Sequence, residues 1–116
     1  MPTEPYSVQI QLTPRFQKDL RALAKRYRHI RSDLKSLVAQ LEAGELPGDL
    51  VQGLSLTVYK VRVRNSDIRK GKSAGYRVIY YLKADEQIIL VTIYSKSDQS
   101  DVDAQTIRDA IARLNL

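Results

Sequence analysis

The sequence predicts an α+β fold: a single domain, residues 1–116, in which an N-terminal strand and a helix hairpin pack on a mainly antiparallel four-stranded sheet closed by a C-terminal helix. Three observations predict it. Apolar residues recur at every second position in 6–12 and 59–63, at helical spacing in 16–41 and 107–114, and on both parities in 75–83 and 87–94. Thr13-Pro14, Gly44 and the short link Ala84-Asp85-Glu86 then punctuate these stretches as a helix start, a helix stop and a hairpin turn. Finally, 116 residues with 43% hydrophobic and 28% charged side chains suit one core, and folding at this size buries roughly two-thirds of the surface of the unfolded chain.

The first strand is Tyr6 to Leu12, with Tyr6, Val8, Ile10 and Leu12 on one side and Ser7, Gln9 and Gln11 on the other. Thr13 caps the first helix. Pro14 occupies the first helical position, where a missing N–H costs nothing, and Phe16, Leu20, Leu23 and Tyr27 form the buried stripe. A turn over Arg28 to Arg31 leads to a second helix starting at Ser32, with Asp33 near its positive end, Leu34, Leu37, Val38 and Leu41 as its stripe, and Gly44 as its stop. His29, in the turn, reads as an unpartnered surface residue. After the Pro47-Gly48 connection comes a long strand, Leu54 to Arg64. In it Leu54, Leu56 and Val58 share parity with Lys60, so the strand either leaves cover part-way or contains a bulge. Gly75 to Lys83 and Gln87 to Tyr94 form the doubly covered centre of the sheet. The polar corner Ser95 to Ser100 leads to a helix from Val102 to Leu114 with Ile107, Ala110, Ile111 and Leu114 on one side.

Charge is segregated. Eight Lys/Arg lie in 15–35 against Asp19 and Asp33, and eight lie in 60–83 against Asp67, whereas 85–116 holds six acids and three bases. The first run fits a solvent-facing helix side. A net charge of +6 distributed in this way also fits an anionic partner, of which nucleic acid is the commonest for a small basic domain. Zero Cys excludes a disulfide framework and thiolate metal sites, and the lone His29 leaves no imidazole cluster, so no metal and no cofactor are expected. The opening residues lack a secretory pattern and no apolar run approaches 18 residues, which predicts a cytoplasmic chain with no membrane contact.

The stretch from Tyr59 to Tyr81 concentrates the chemistry. Alternation places Lys60, Arg62 and Arg64 on the face opposite Tyr59, Val61 and Val63, and sets Arg77 opposite Tyr76, Val78 and Tyr80 on the next strand. The intervening loop carries Arg69, Lys70 and Lys72. Cations clustered in this way bind phosphate oxygens. Blunting of an exposed strand would explain Lys60 and Arg62 without any ligand, and an ion pair with Asp98 or Asp101 would do so for Arg77. Tyr76, Tyr80, Tyr81 and Tyr94 read as core and strand residues.

The order of elements, with YKVRV, SAGYRVIYY and TIYSKSDQSDV in succession, resembles the RelE/ParE superfamily of type II toxin–antitoxin toxins over nearly the whole chain, and its RelE-like and HigB-type members in particular. The resemblance implies a RelE-like fold and a small mRNA-cutting endoribonuclease, an mRNA interferase, that usually acts in the ribosomal A site. It also implies a cognate antitoxin that holds the toxin inactive, with operator DNA bound, if at all, only through the toxin–antitoxin complex. Position by position, it sets Lys60, Arg62, Arg77 and Lys96 at the basic catalytic positions. Ser97 stands where well-studied members carry a second arginine, and Asp103 where they carry a tyrosine.

Attack of a ribose 2′-oxygen on the adjacent phosphate needs in-line geometry, proton transfer and stabilisation of a crowded anionic state. Arg77 suits the clamp on that state, Lys60 the base and Lys96 the acid, while Arg64, Lys70 and Lys72 suit nonspecific contact with the RNA backbone. Two other readings remain open at this point: a gyrase-directed inhibitor of the ParE type on the same fold, and an inactive regulatory member of the superfamily.

Overall fold

Thr13 shows how local sequence becomes tertiary structure in this chain. In the computed structural model, which describes residues 8–68 and 74–114, its Oγ1 accepts the Phe16 N–H at 2.9 Å and donates to the Val91 carbonyl at 2.7 Å. One hydroxyl thus caps a helix and ties it to the sheet. The elements in order are β1 (Gln9–Leu12), α1 (Pro14–Ala24), α2 (Ile30–Glu42), β2 (Asp49–Leu50), β3 (Val58–Val63), β4 (Tyr76–Ala84), β5 (Gln87–Ser95) and α3 (Ala104–Leu114). Among the described residues they form one sheet of order β1-β5-β4-β3-β2, with β1 parallel to β5 and the other neighbours antiparallel.

The α+β architecture is the one expected, with three corrections of detail. The sheet has five strands rather than four, because Asp49 and Leu50 pair with Lys60 and Tyr59. A two-residue strand has no period to detect; what places it is the close approach of Gly48, where a Cβ would strike the Lys60 backbone. Second, α2 begins at Ile30 rather than Ser32, since Ile30 is fully buried and its burial extends the helix backwards. Third, the long strand begins at Val58: Ser55 adopts φ 59°, which breaks the extended backbone after Leu54. Residues Tyr6 and Ser7 of the expected first strand lie outside the described residues.

Two cores flank the sheet. Phe16, Leu23, Ile30, Leu34, Leu37 and Leu41 of α1 and α2 pack on Val61, Val63, Tyr76, Val78 and Tyr80 on one face. Ile107, Ala110 and Ile111 of α3 pack on Val58, Ile79, Ile89, Val91 and Tyr94 on the other. The central strands β4 and β5 are therefore buried on both faces, as their unbroken apolar runs predict. Gly44 stops α2 with φ 89°, in the left-handed region that glycine enters freely.

Candidate functional site

The α3 face of β3 is apolar at one end and cationic at the other. Val58, Lys60 and Arg62 share that face and stand opposite Tyr81, Ile79 and Arg77 of β4. Val58 and Ile79 lie beneath α3 and are almost wholly buried. Further along, Lys60 keeps 35% of its side chain exposed and Arg62 is exposed. The parity conflict in the sequence is thus resolved: the strand runs out from under the helix.

Asp49, Lys60, Arg62, Arg77, Lys96 and Ser100 line one cavity of about 130 Å³. All four cations marked at the basic catalytic positions meet there. Lys96 arrives from the end of β5, where its backbone N–H bonds the Gly75 carbonyl at 2.9 Å and its Nζ donates to the Ser100 carbonyl at 3.1 Å. Gly75 is required at that junction, because any Cβ would collide with the Val63 backbone carbonyl. Arg77 is only 6% exposed, and its Nη1 donates to the Tyr76 carbonyl at 3.2 Å. Burial, and after it the neighbouring Arg62 cation, push the Arg77 guanidinium below its ordinary value. Arginine keeps its proton nonetheless, so the site holds poorly solvated positive charge facing a small opening.

Arg64 is exposed and lies outside this cavity, on a groove of about 300 Å³ between α2 and β3 that Arg62 also borders. Lys70 and Lys72 lie outside the described residues. Asp98 pairs with Arg26 at 2.6 Å and Asp101 with Lys60 at 3.3 Å. Asp101 also accepts the Val102 N–H at 2.8 Å and stands 3.5 Å from the Tyr94 hydroxyl. The Val102 N–H first, and then Lys60, hold its carboxyl below the usual range.

The two departures from the RelE-like pattern have local roles. Ser97 bonds the Ser95 hydroxyl at 2.8 Å. Asp103 caps α3 by accepting the Thr106 N–H at 2.8 Å, a contact that lowers its carboxyl from the ordinary value. His29 is not unpartnered: its Nδ1 lies 2.7 Å from Asp67 Oδ1, and its backbone N–H donates to Asp67 Oδ2 at 3.0 Å. Ser66 N–H likewise donates to the Asp33 carboxylate in the first turn of α2, at 2.9 Å, so His29 and Asp33 together hold the start of the basic loop. Sequence reasoning missed Asp49 and Ser100 at the cleft, and it weighed Asp101 only as a partner of Arg77, whereas the ion pair of Asp101 runs to Lys60. Asp49 left no signal in the sequence.

No helix among the described residues is long and apolar enough to cross a membrane, and no group of three or more metal-ligating side chains gathers among them. The fold is similar to that of an E. coli RelE toxin, solved in the free state with two arginines replaced by alanine. The match has a TM-score of 0.56 at 19% identity and covers 93% of this chain and 98% of that one. Residues 10–100 match the family described as the ParE toxin of the type II toxin–antitoxin system parDE. With that family spanning the first strand, the helix hairpin and every strand that frames the cationic cleft, the chain belongs to the ParE toxin family of type II toxin–antitoxin systems, in a RelE-like fold.

Proposed function

We propose that this toxin is a metal-independent endoribonuclease that cleaves messenger RNA at the ribosome in the cytoplasm and so inhibits translation. The convergence of Lys60, Arg62, Arg77 and Lys96 on one small cleft carries this reading. Its cognate antitoxin silences it by laying an acidic segment over the same cations and the basic loop, since neutralising them keeps RNA away.

In the reaction the ribose 2′-oxygen bonds to phosphorus while the bond from phosphorus to the 5′-oxygen breaks, leaving a 2′,3′-cyclic phosphate and a 5′-hydroxyl. Arg77, held by the sheet and poorly solvated, clamps the equatorial oxygens, with Arg62 directly across the strand pair adding charge. Lys60 takes the 2′ proton as the general base, and Lys96 gives one to the departing 5′-oxygen. Arg64, Lys70 and Lys72 track the backbone.

One observation favours a second reading. The matched family is that of ParE, whose members the sequence-level resemblance links to DNA gyrase rather than RNA. A translation reaction with primer extension on the message, run beside a gyrase supercoiling assay, tests both. Codon-spaced cuts with normal supercoiling support the nuclease; intact message with blocked supercoiling overturns it in favour of the gyrase inhibitor. Failure of both assays leaves the inactive regulatory member.

A further inference from the structure

The corner between β5 and α3 carries three aspartates within six residues, and each has a different partner. Asp98 is taken by Arg26 of the segment after α1, and Asp103 by the first turn of α3. Asp101 turns to the cleft, where its Oδ1 sits 3.3 Å from Lys60 Nζ. The segment that presents it is anchored through its backbone and through Asp98. Arg26 holds Asp98, Lys96 Nζ holds the Ser100 carbonyl, and Gln99 Nε2 bonds the Asp101 carbonyl at 2.9 Å. The Asp101 side chain itself is 62% exposed, so a side-chain rotation can carry it off Lys60, at the cost of its Val102 N–H and Tyr94 hydroxyl contacts, while these anchors stay in place.

A carboxylate oxygen against an ammonium offers the same contact that a phosphate oxygen would. We infer that Asp101 is a built-in counter-anion: in the empty cleft it occupies Lys60, and an RNA phosphate must displace it to reach that lysine. The inference rests on the RNA reading of the cleft. It makes Asp101 a positioning residue that keeps Lys60 Nζ at the cleft wall between substrates and weakens ground-state binding of phosphate. Arg62 and Arg77 lie across the strand pair from one another, and a cleft of such cations without an anion would also repel itself. Asp49 stands opposite Lys60 on β2 and lines the same cavity, but among the described residues the ion pair of Lys60 runs to Asp101.

The test is binding of a single-stranded RNA bearing 2′-O-methyl groups throughout, which cannot be cleaved, to the full chain at low salt, with inorganic pyrophosphate as a second probe. Asp101→Asn keeps an oxygen for the Val102 N–H and removes only the charge, and a thermal melt matching the parent checks the fold. Removing the competitor should tighten binding about two- to fivefold, the range an exposed ion pair spans. The gain should vanish in the Lys60→Met background, since it acts through that lysine. In turnover with subsaturating RNA, Asp101→Asn should lower KM by the same factor. A gain that persists without Lys60 would mean a general field effect and overturn the inference, and equal or weaker binding by Asp101→Asn would do the same. Should pyrophosphate show the Lys60-dependent gain while the RNA binds no variant, the counter-anion stands and the RNA reading falls.

Discussion

Two halves of one sheet face differ in what covers them. Under α3, Val58, Ile79 and Val91 are closed off by Ile107, Ala110 and Ile111. A few ångströms along the same strands, Lys60, Arg62 and Arg77 face a cleft bordered by the polar corner instead. The backbone is common to both, and so is the register, in which Lys60 stands across from Ile79 and Arg62 from Arg77. A stable sheet can therefore hold cations at fixed spacing, because the apolar half keeps the strands paired while the open half carries charge that contributes little to the fold. Changes in the two halves should separate accordingly, activity in one and stability in the other.

The largest separation is expected at Lys60. If it is the base, Lys60→Arg keeps the positive charge and RNA binding but slows single-turnover cleavage by about 10²- to 10⁴-fold, the range of general acid–base catalysis. Cleavage at the parent rate would show that the cations act by charge alone. Arg77→Ala follows, with a loss of about 10²- to 10³-fold if it acts as an oxyanion contact does, and with the melting transition retained. Should that variant lose its transition, Arg77 belongs to the structural half and the boundary has been drawn in the wrong place.

Ile79→Ala probes the other side of the boundary. Truncating a side chain this deeply buried should destabilise the chain by about 2–5 kcal/mol in a denaturant titration, while RNA binding by the folded fraction is unchanged. Thr13→Ala, which removes both the α1 cap and the bond to the Val91 carbonyl, should lower stability by roughly 1–2 kcal/mol with no effect on binding. The smallest effect is in acid. Asp67, Asp101 and Asp103 all have carboxyls lowered in the folded state, by His29, by Val102 and Lys60, and by Thr106. A depressed folded value means stabilisation present above the unfolded value of roughly 3.9 and lost as pH falls through the folded one. Melting temperature should therefore begin to fall below about pH 4. Asp67→Asn should shrink the fall, and an unchanged profile in that variant would remove the His29 contact from the account.

The cap at Thr13, the stop at Gly44, the hairpin at residues 85–86 and the buried runs of β4 and β5 depend on residues next to one another in the chain, so the sequence by itself determined them. It likewise determined that Lys60 and Arg62 share a face, because strand parity is local. Tertiary structure alone decided which half of that face α3 would cover, since Val58 and Lys60 have the same parity and only the docked helix distinguishes them. It alone paired β1 with β5, recruited Asp49 and Leu50 as a strand, drew Ile30 into α2 and joined His29 to Asp67. It also set Asp101 on Lys60, 41 residues away along the chain. Contacts at such separation leave no periodic trace in the sequence; they form where edges and corners meet after the core has closed.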